Sequence, residues 1–149
     1  MPRIARALAV AGALTGSALL AGCDKPAPKV TVQTGAFSTT IEPSTYCFDA
    51  KHCRSSARID LPVIDAKPDD RVLVDVPRDL VGRGWSVTAL TLDGAKALGG
   101  SGAIHSSHSF RVAANTNNGN PFIVQVAQLR HGQPDGSRWS FLVKVSDRT

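Results

Sequence analysis

Few residues in this 149-residue chain are of types that carry chemistry, and their spacing decides between them. His105-Ser106-Ser107-His108 is the one close pair of histidines. On a strand, positions three apart point to opposite faces; in a loop they can converge. Two imidazoles still fall short of the four ligands a structural zinc wants, and only His52 and His131 remain to complete a set. No metal is expected. Gly99-Gly100-Ser101-Gly102-Ala103 looks superficially like a nucleophile loop, but the Gly-x-Ser-x-Gly spacing and the strand-to-helix elbow are missing. Ser101, His105 and His108 are therefore a candidate hydrolytic set without a recognisable frame. A blue-copper site needs two His, a free Cys and often a Met, and the single Met is Met1. No cofactor is expected. Asp69, Asp70 and Asp135 read as turn residues, whose short carboxylates accept local backbone hydrogen bonds.

The three cysteines carry more. Cys23 closes Leu20-Ala21-Gly22-Cys23, behind a short basic stretch with Arg3 and Arg6 and an apolar run from Ala7 to Leu20. That run is shorter and richer in Ala and Gly than the roughly 20 apolar residues of a membrane span. No basic stop-transfer cluster follows, so residues 1–22 read as a cleaved signal peptide. Small residues before the Cys resemble the bacterial lipobox. The expectation is a diacylglyceryl group on the Cys23 thiol and acylation of its freed amine. Two or more acyl chains make such an anchor persistent where one is marginal. Cys47 and Cys53 are then an even pair in an oxidising compartment, for which a disulfide is expected. Their short loop gives about 2 kcal/mol in the chain-entropy picture, and the spacing is not the Cys-x-x-Cys of redox centres. The bridge is expected to be structural.

Removing residues 1–22 takes away Arg3 and Arg6 and no acid, which lowers the formal charge from +5 to +3. That mild excess suits contact with anionic headgroups or envelope polymers. No basic run exceeds two residues, and no nucleic-acid partner is expected. Residues 23–29, with Asp24-Lys25-Pro26-Ala27-Pro28-Lys29, read as a lipidated Cys and a short tether reaching about 20 Å.

Residues 30–149 must position whatever the protein presents, and they alternate with period two almost throughout. Val30 and Val32; Val72, Val74 and Val76; Trp85 to Leu92; Phe110 to Ala114; Phe122 to Leu129; and Trp139 to Val145 all read as strands. Pro62 marks an edge or bulge near Arg58–Ile64. Gly, Pro, Asn and Asp clusters separate the runs, among them Asp65–Asp70, Asn115–Pro121 and Gly132–Gly136. Single helical turns are expected at Pro77–Val81 and Ala95–Leu98. The segment Leu98–Ser109 reads as a Gly- and Ser-rich loop. The fold class is all-β, an immunoglobulin-like β-sandwich of about seven to nine strands in one domain. The expected core is Val32, Val72, Val74, Trp85, Val87, Phe110, Val112, Val124, Val126, Trp139, Phe141 and Val143.

The order of landmarks resembles a family of uncharacterised actinobacterial lipoproteins, the domain of unknown function 2771. The lipobox, Glu42-Pro43…Tyr46-Cys47…Cys53, Val76-Pro77…Gly84-Trp85-Ser86-Val87, Phe122–Leu129 and Trp139–Val143 carry the resemblance. It implies a membrane-anchored envelope domain in an actinobacterium and lends no catalytic residues. The expectation is a lipoprotein on the extracytoplasmic face of the cell membrane, acting as a non-enzymatic binding or accessory module for an envelope protein or anionic polymer. The alternatives are an envelope hydrolase and a carrier of a small apolar ligand.

Overall fold

The computed structural model describes residues 25–57, 60–115 and 120–146. Cys23 and the signal segment lie outside the described residues. Among the described residues, eleven strands and one short helix follow in order: β1 Val30–Thr34, β2 Phe37–Ile41, β3 Thr45–Cys47, β4 Cys53–Ser55, β5 Val63–Ala66, β6 Arg71–Asp75, α1 Arg78–Arg83, β7 Trp85–Leu90, β8 Ala97–Gly100, β9 Ser109–Ala113, β10 Phe122–Arg130 and β11 Gln133–Val145. Two sheets form the all-β sandwich. The smaller runs β2-β1-β6-β9 and the larger β4-β3-β11-β10-β7-β8. Strand β5 lies parallel to the second half of β11, on the edge that the first half shares with β3. All other pairs are antiparallel. The surplus over nine strands comes from very short ladders, chiefly β3 and β4, three residues each.

Period-two burial explains why these runs became strands. Trp85, Val87 and Ala89 of β7 and Phe122, Val124 and Val126 of β10 point inward, with half-exposed residues between them. Trp85, Trp139, Phe122 and Phe141 are fully buried and form the bulk of the core, with Val30, Val32, Val72, Val74 and Leu80. Each such side chain contributes about 1.5–3 kcal/mol by leaving water. Every expected core residue is buried except Phe110, which packs against the core while staying half exposed.

Some local expectations change. The hairpin between β10 and β11 needs only His131 and Gly132, both at positive φ (52° and 77°), as a type I′ turn requires. The region to Gly136 is strand rather than turn. The register shifts where Asp135, Gly136 and Ser137 of β11 stand opposite the single residue Gln128, a bulge beyond which the ladder runs on to the hairpin. Ala95–Leu98 is not helical. The Asp93 carboxylate accepts from the Thr91 hydroxyl and the Ala95 amide, which closes a turn, and β8 starts at Ala97. Helix α1 spans Arg78–Arg83, two residues beyond the expected turn; it buries Leu80 and ends at Gly84, at φ 93°.

Candidate functional site

Disulfide Cys47–Cys53 links directly opposed residues of β3 and β4. It sits where β11 passes close by. A Cβ at Gly136, at φ 98°, would lie 2.9 Å from the Cys47 Sγ, so only glycine fits there without movement. Beside it, Asp135 is turned inward. Its carboxylate accepts from the Gln128 side-chain amide (2.6 Å) and the Ser137 backbone amide (2.8 Å), and the Ser137 hydroxyl accepts from the Cys47 amide (2.9 Å). Arg130 approaches it at 4.0 Å. Asp135 is therefore the hub of a buried polar network rather than a turn residue. The sequence hid this because Gly136, which sits in the β11 bulge opposite Gln128, reads locally as a turn glycine.

The residues read as possible chemistry do not assemble. The Ser101 hydroxyl accepts from the Val87 amide (2.9 Å) and donates to the Gly102 carbonyl (2.7 Å). His105 lies over Gly84, whose added Cβ would sit 2.5 Å from the imidazole Cε1. His108 instead faces Asp75, with Nε2 3.8 Å from Oδ1, in a cleft of about 410 Å³ that also includes Lys29 and Arg78. The loop expected between Leu98 and Ser109 is tied down. Ile104 exchanges backbone hydrogen bonds with Trp85, and the Trp85 indole N–H donates to the Ser107 carbonyl (2.9 Å). Among the described residues, no three His, Cys, Asp or Glu side chains gather as a metal site, and no helix is long and apolar enough to cross a membrane.

Two surfaces remain, at opposite ends of the strands. The first is the end that carries α1, β3 and β4. Here residues 25–29, expected as a free tether, are held against the domain. The Trp139 indole N–H donates to the Pro28 carbonyl (2.9 Å), Lys29 pairs with Glu42 (3.0 Å) and Lys25 pairs with Asp79. The contact with Lys25 holds the Asp79 carboxyl below its ordinary range, and the same contact raises the pKa of Lys25. A cleft of about 470 Å³ opens beside this segment, lined by Lys25, Pro26, Tyr46, Phe48 and Arg54 among others. Tyr46 packs edge-on against Phe48, with ring centroids 4.9 Å apart, and the Arg54 guanidinium lies over Phe48 at 5.3 Å.

The second surface is the outer face of the large sheet. Val63, Leu142, Ile123 and Leu90 stand directly opposite one another across β5, β11, β10 and β7. Their sequence neighbours Ile64, Val143, Val124 and Ala89 are the buried ones, so this row of four aliphatics faces out. The adjoining rung toward the first surface, Thr88, Gln125 and Ser140, is polar. Among the described residues, the large apolar side chains more than half exposed are Phe37, Val63 and Leu92, and they belong to this same half of the molecule. Sequence alternation marked these positions as outward; only the strand register shows that they align.

A narrow slit of about 180 Å³ separates the edge strands β8 and β9, lined by Val87, Ala89, Leu98, Phe110 and Val112 among others. It is smaller than the roughly 300 Å³ at which ligand clefts usually begin. Comparison of the chain with protein-family models, with curated proteins and with solved structures gives no match.

Proposed function

We propose that this protein is a membrane-anchored extracytoplasmic lipoprotein that acts as a non-enzymatic binding module of the cell envelope. The observation that carries the reading is the position of Leu20-Ala21-Gly22-Cys23. It lies immediately ahead of a segment, residues 25–29, that is fastened to a disulfide-bearing β-sandwich. The resemblance to the actinobacterial lipoprotein family belongs to the same reading. Absence of catalysis is supported by Ser101, whose hydroxyl is engaged with the backbone, and by His105 and His108, which rest against different neighbours.

On this reading the partner is an envelope protein with an apolar contact surface. Four aligned aliphatics on a sheet face, at the half of the domain away from the tether, present a patch suited to such a contact. The test is crosslinking of the protein in its own membranes followed by mass spectrometry. One reproducible partner, lost in Leu142→Asp while membrane association persists, is the expected result. A partner pattern that Leu142→Asp leaves unchanged, or no reproducible partner, counts against the reading.

A further inference from the structure

We propose that the end of the sandwich bearing α1 and the β3–β4 pair lies directly on the anionic headgroups of the membrane that holds Cys23. This rests on the lipid-anchor reading above and adds an orientation to it.

The geometry begins with the fastened tether. Lys25 is paired to Asp79 on α1, Pro28 is held by the Trp139 indole, and Lys29 is paired to Glu42. On the anchor reading only Cys23 and Asp24 separate the lipid from the fastened segment, and two residues span at most about 7 Å. An acylated Cys23 sits at the boundary of headgroups and acyl chains. The α1 end must then stay within about one Debye length of the headgroup layer, where surface charge is still felt. A tether of about 20 Å already keeps the domain close to the membrane; fastening residues 25–29 also fixes which end faces it.

The chemistry of that end fits its neighbour. Lys25, Lys29, Lys51, Arg54, Arg78 and Arg83 face four carboxylates there, Glu42, Asp49, Asp75 and Asp79, leaving an excess of positive charge. Tyr46 and Phe48 flank the cleft beside Lys25 and Arg54, and they give the basic end an amphipathic aromatic border of the kind that suits a membrane interface. The opposite end carries no such excess: Asp65, Asp69, Asp70 and Asp93 stand among Lys67, Arg71, Lys96 and Arg111. Reversing the molecule would offer the lipid phosphates a nearly balanced set of charges in place of a basic one. Each basic residue close to an anionic surface is worth roughly fivefold in surface affinity, and the attraction weakens with salt. The same orientation points the Val63–Leu142–Ile123–Leu90 half away from the bilayer.

The test uses the full acylated chain, reconstituted into phosphatidylcholine vesicles containing phosphatidylglycerol and a headgroup-labelled quencher. A fluorophore is placed at Ser55→Cys, on the proposed contact end, or at Ser38→Cys, on the far half, with the native disulfide intact. Quenching several-fold stronger at position 55 is expected. The difference should collapse in phosphatidylcholine alone, in raised salt, and in Arg78→Glu with Arg83→Glu. The salt arm needs no substitution, so it stands even if that variant folds poorly. Equal quenching at the two positions on vesicle-bound protein overturns this orientation and leaves the anchor intact. A difference that salt does not touch overturns the role of the headgroup charge. Protein recovered without lipid and free of vesicles overturns the anchor reading, and the orientation with it.

Discussion

Replacing Trp139 with phenylalanine isolates the contact that fastens the N-terminal segment. The aromatic ring stays in the core, while the indole N–H that donates to the Pro28 carbonyl is removed. A typical net hydrogen bond contributes about 0.5–1.5 kcal/mol. Local release of residues 25–29 should become easier by that amount, about two- to twelvefold in the open population at room temperature. Lys29–Val30 is the bond to watch. Lys25 precedes Pro26, which resists trypsin, whereas Lys29 adjoins the first ladder residue of β1, Val30, buried and paired with Ile41. Cleavage after Lys29 in native buffer should therefore accelerate by the same factor in Trp139→Phe. Cleavage after Lys96, in the exposed turn before β8, serves as the internal standard and should not change. The urea midpoint separately reports the packing loss from the smaller ring. An unchanged rate at Lys29, with the standard also unchanged, would refute the idea that Trp139 holds the tether.

The other expectations concern charge, backbone and core. The Asp79 carboxyl is held low by Lys25, so the pair stabilises the fastened segment above the ordinary Asp range and is lost as pH falls through the depressed folded value; carbon-detected NMR should place the Asp79 midpoint below the ordinary Asp range, and Lys25→Ala should raise it. Gly136→Ala should cost about 1–3 kcal/mol in urea unfolding because it combines a positive φ with a near contact to Cys47 Sγ, and the steric part should shrink when Cys47 and Cys53 are both alanine. That double alanine variant by itself should lose about 2 kcal/mol, and a loss near zero would mean that the bridge does not constrain the unfolded chain. Asp135→Ala leaves the buried Gln128 amide and Ser137 N–H without their acceptor and should cost about 1–3 kcal/mol; a neutral result would contradict the network. Phe141→Ala should cost about 3–5 kcal/mol through the cavity it leaves in the core.

The sandwich was legible because alternation is a local signal. Val72, Val74, Trp85, Val87, Val124, Val126, Trp139 and Phe141 could each be assigned a face from neighbours two residues away, and each is buried. The disulfide was legible from cysteine parity, since reading Cys23 as lipidated leaves Cys47 and Cys53 as the one pair. What was not legible depends on register. The bulge of β11 at Asp135, Gly136 and Ser137 that turns Asp135 inward, the parallel seat of β5 against β11, and the alignment of Val63, Leu142, Ile123 and Leu90 all follow from which strands became neighbours. The fastening of residues 25–29 was missed for a different reason. A Pro- and Lys-containing stretch reads as a linker by composition, and nothing local announces that an indole 111 residues away will take the Pro28 carbonyl. The Gly- and Ser-rich segment after β8 misled in the same way, since Trp85 pairs with Ile104 and reaches Ser107 to hold it.

The claim on which the account turns is that Cys23 becomes the acylated first residue of a domain fastened at its lipid. Intact-mass analysis of the protein extracted from its native membranes tests this directly. A chain that begins at Cys23, carries a diacylglyceryl mass on that residue and lacks two further hydrogens for the Cys47–Cys53 bridge is the expected result. A chain that still begins at Met1, or one with an unmodified thiol at Cys23, would contradict it.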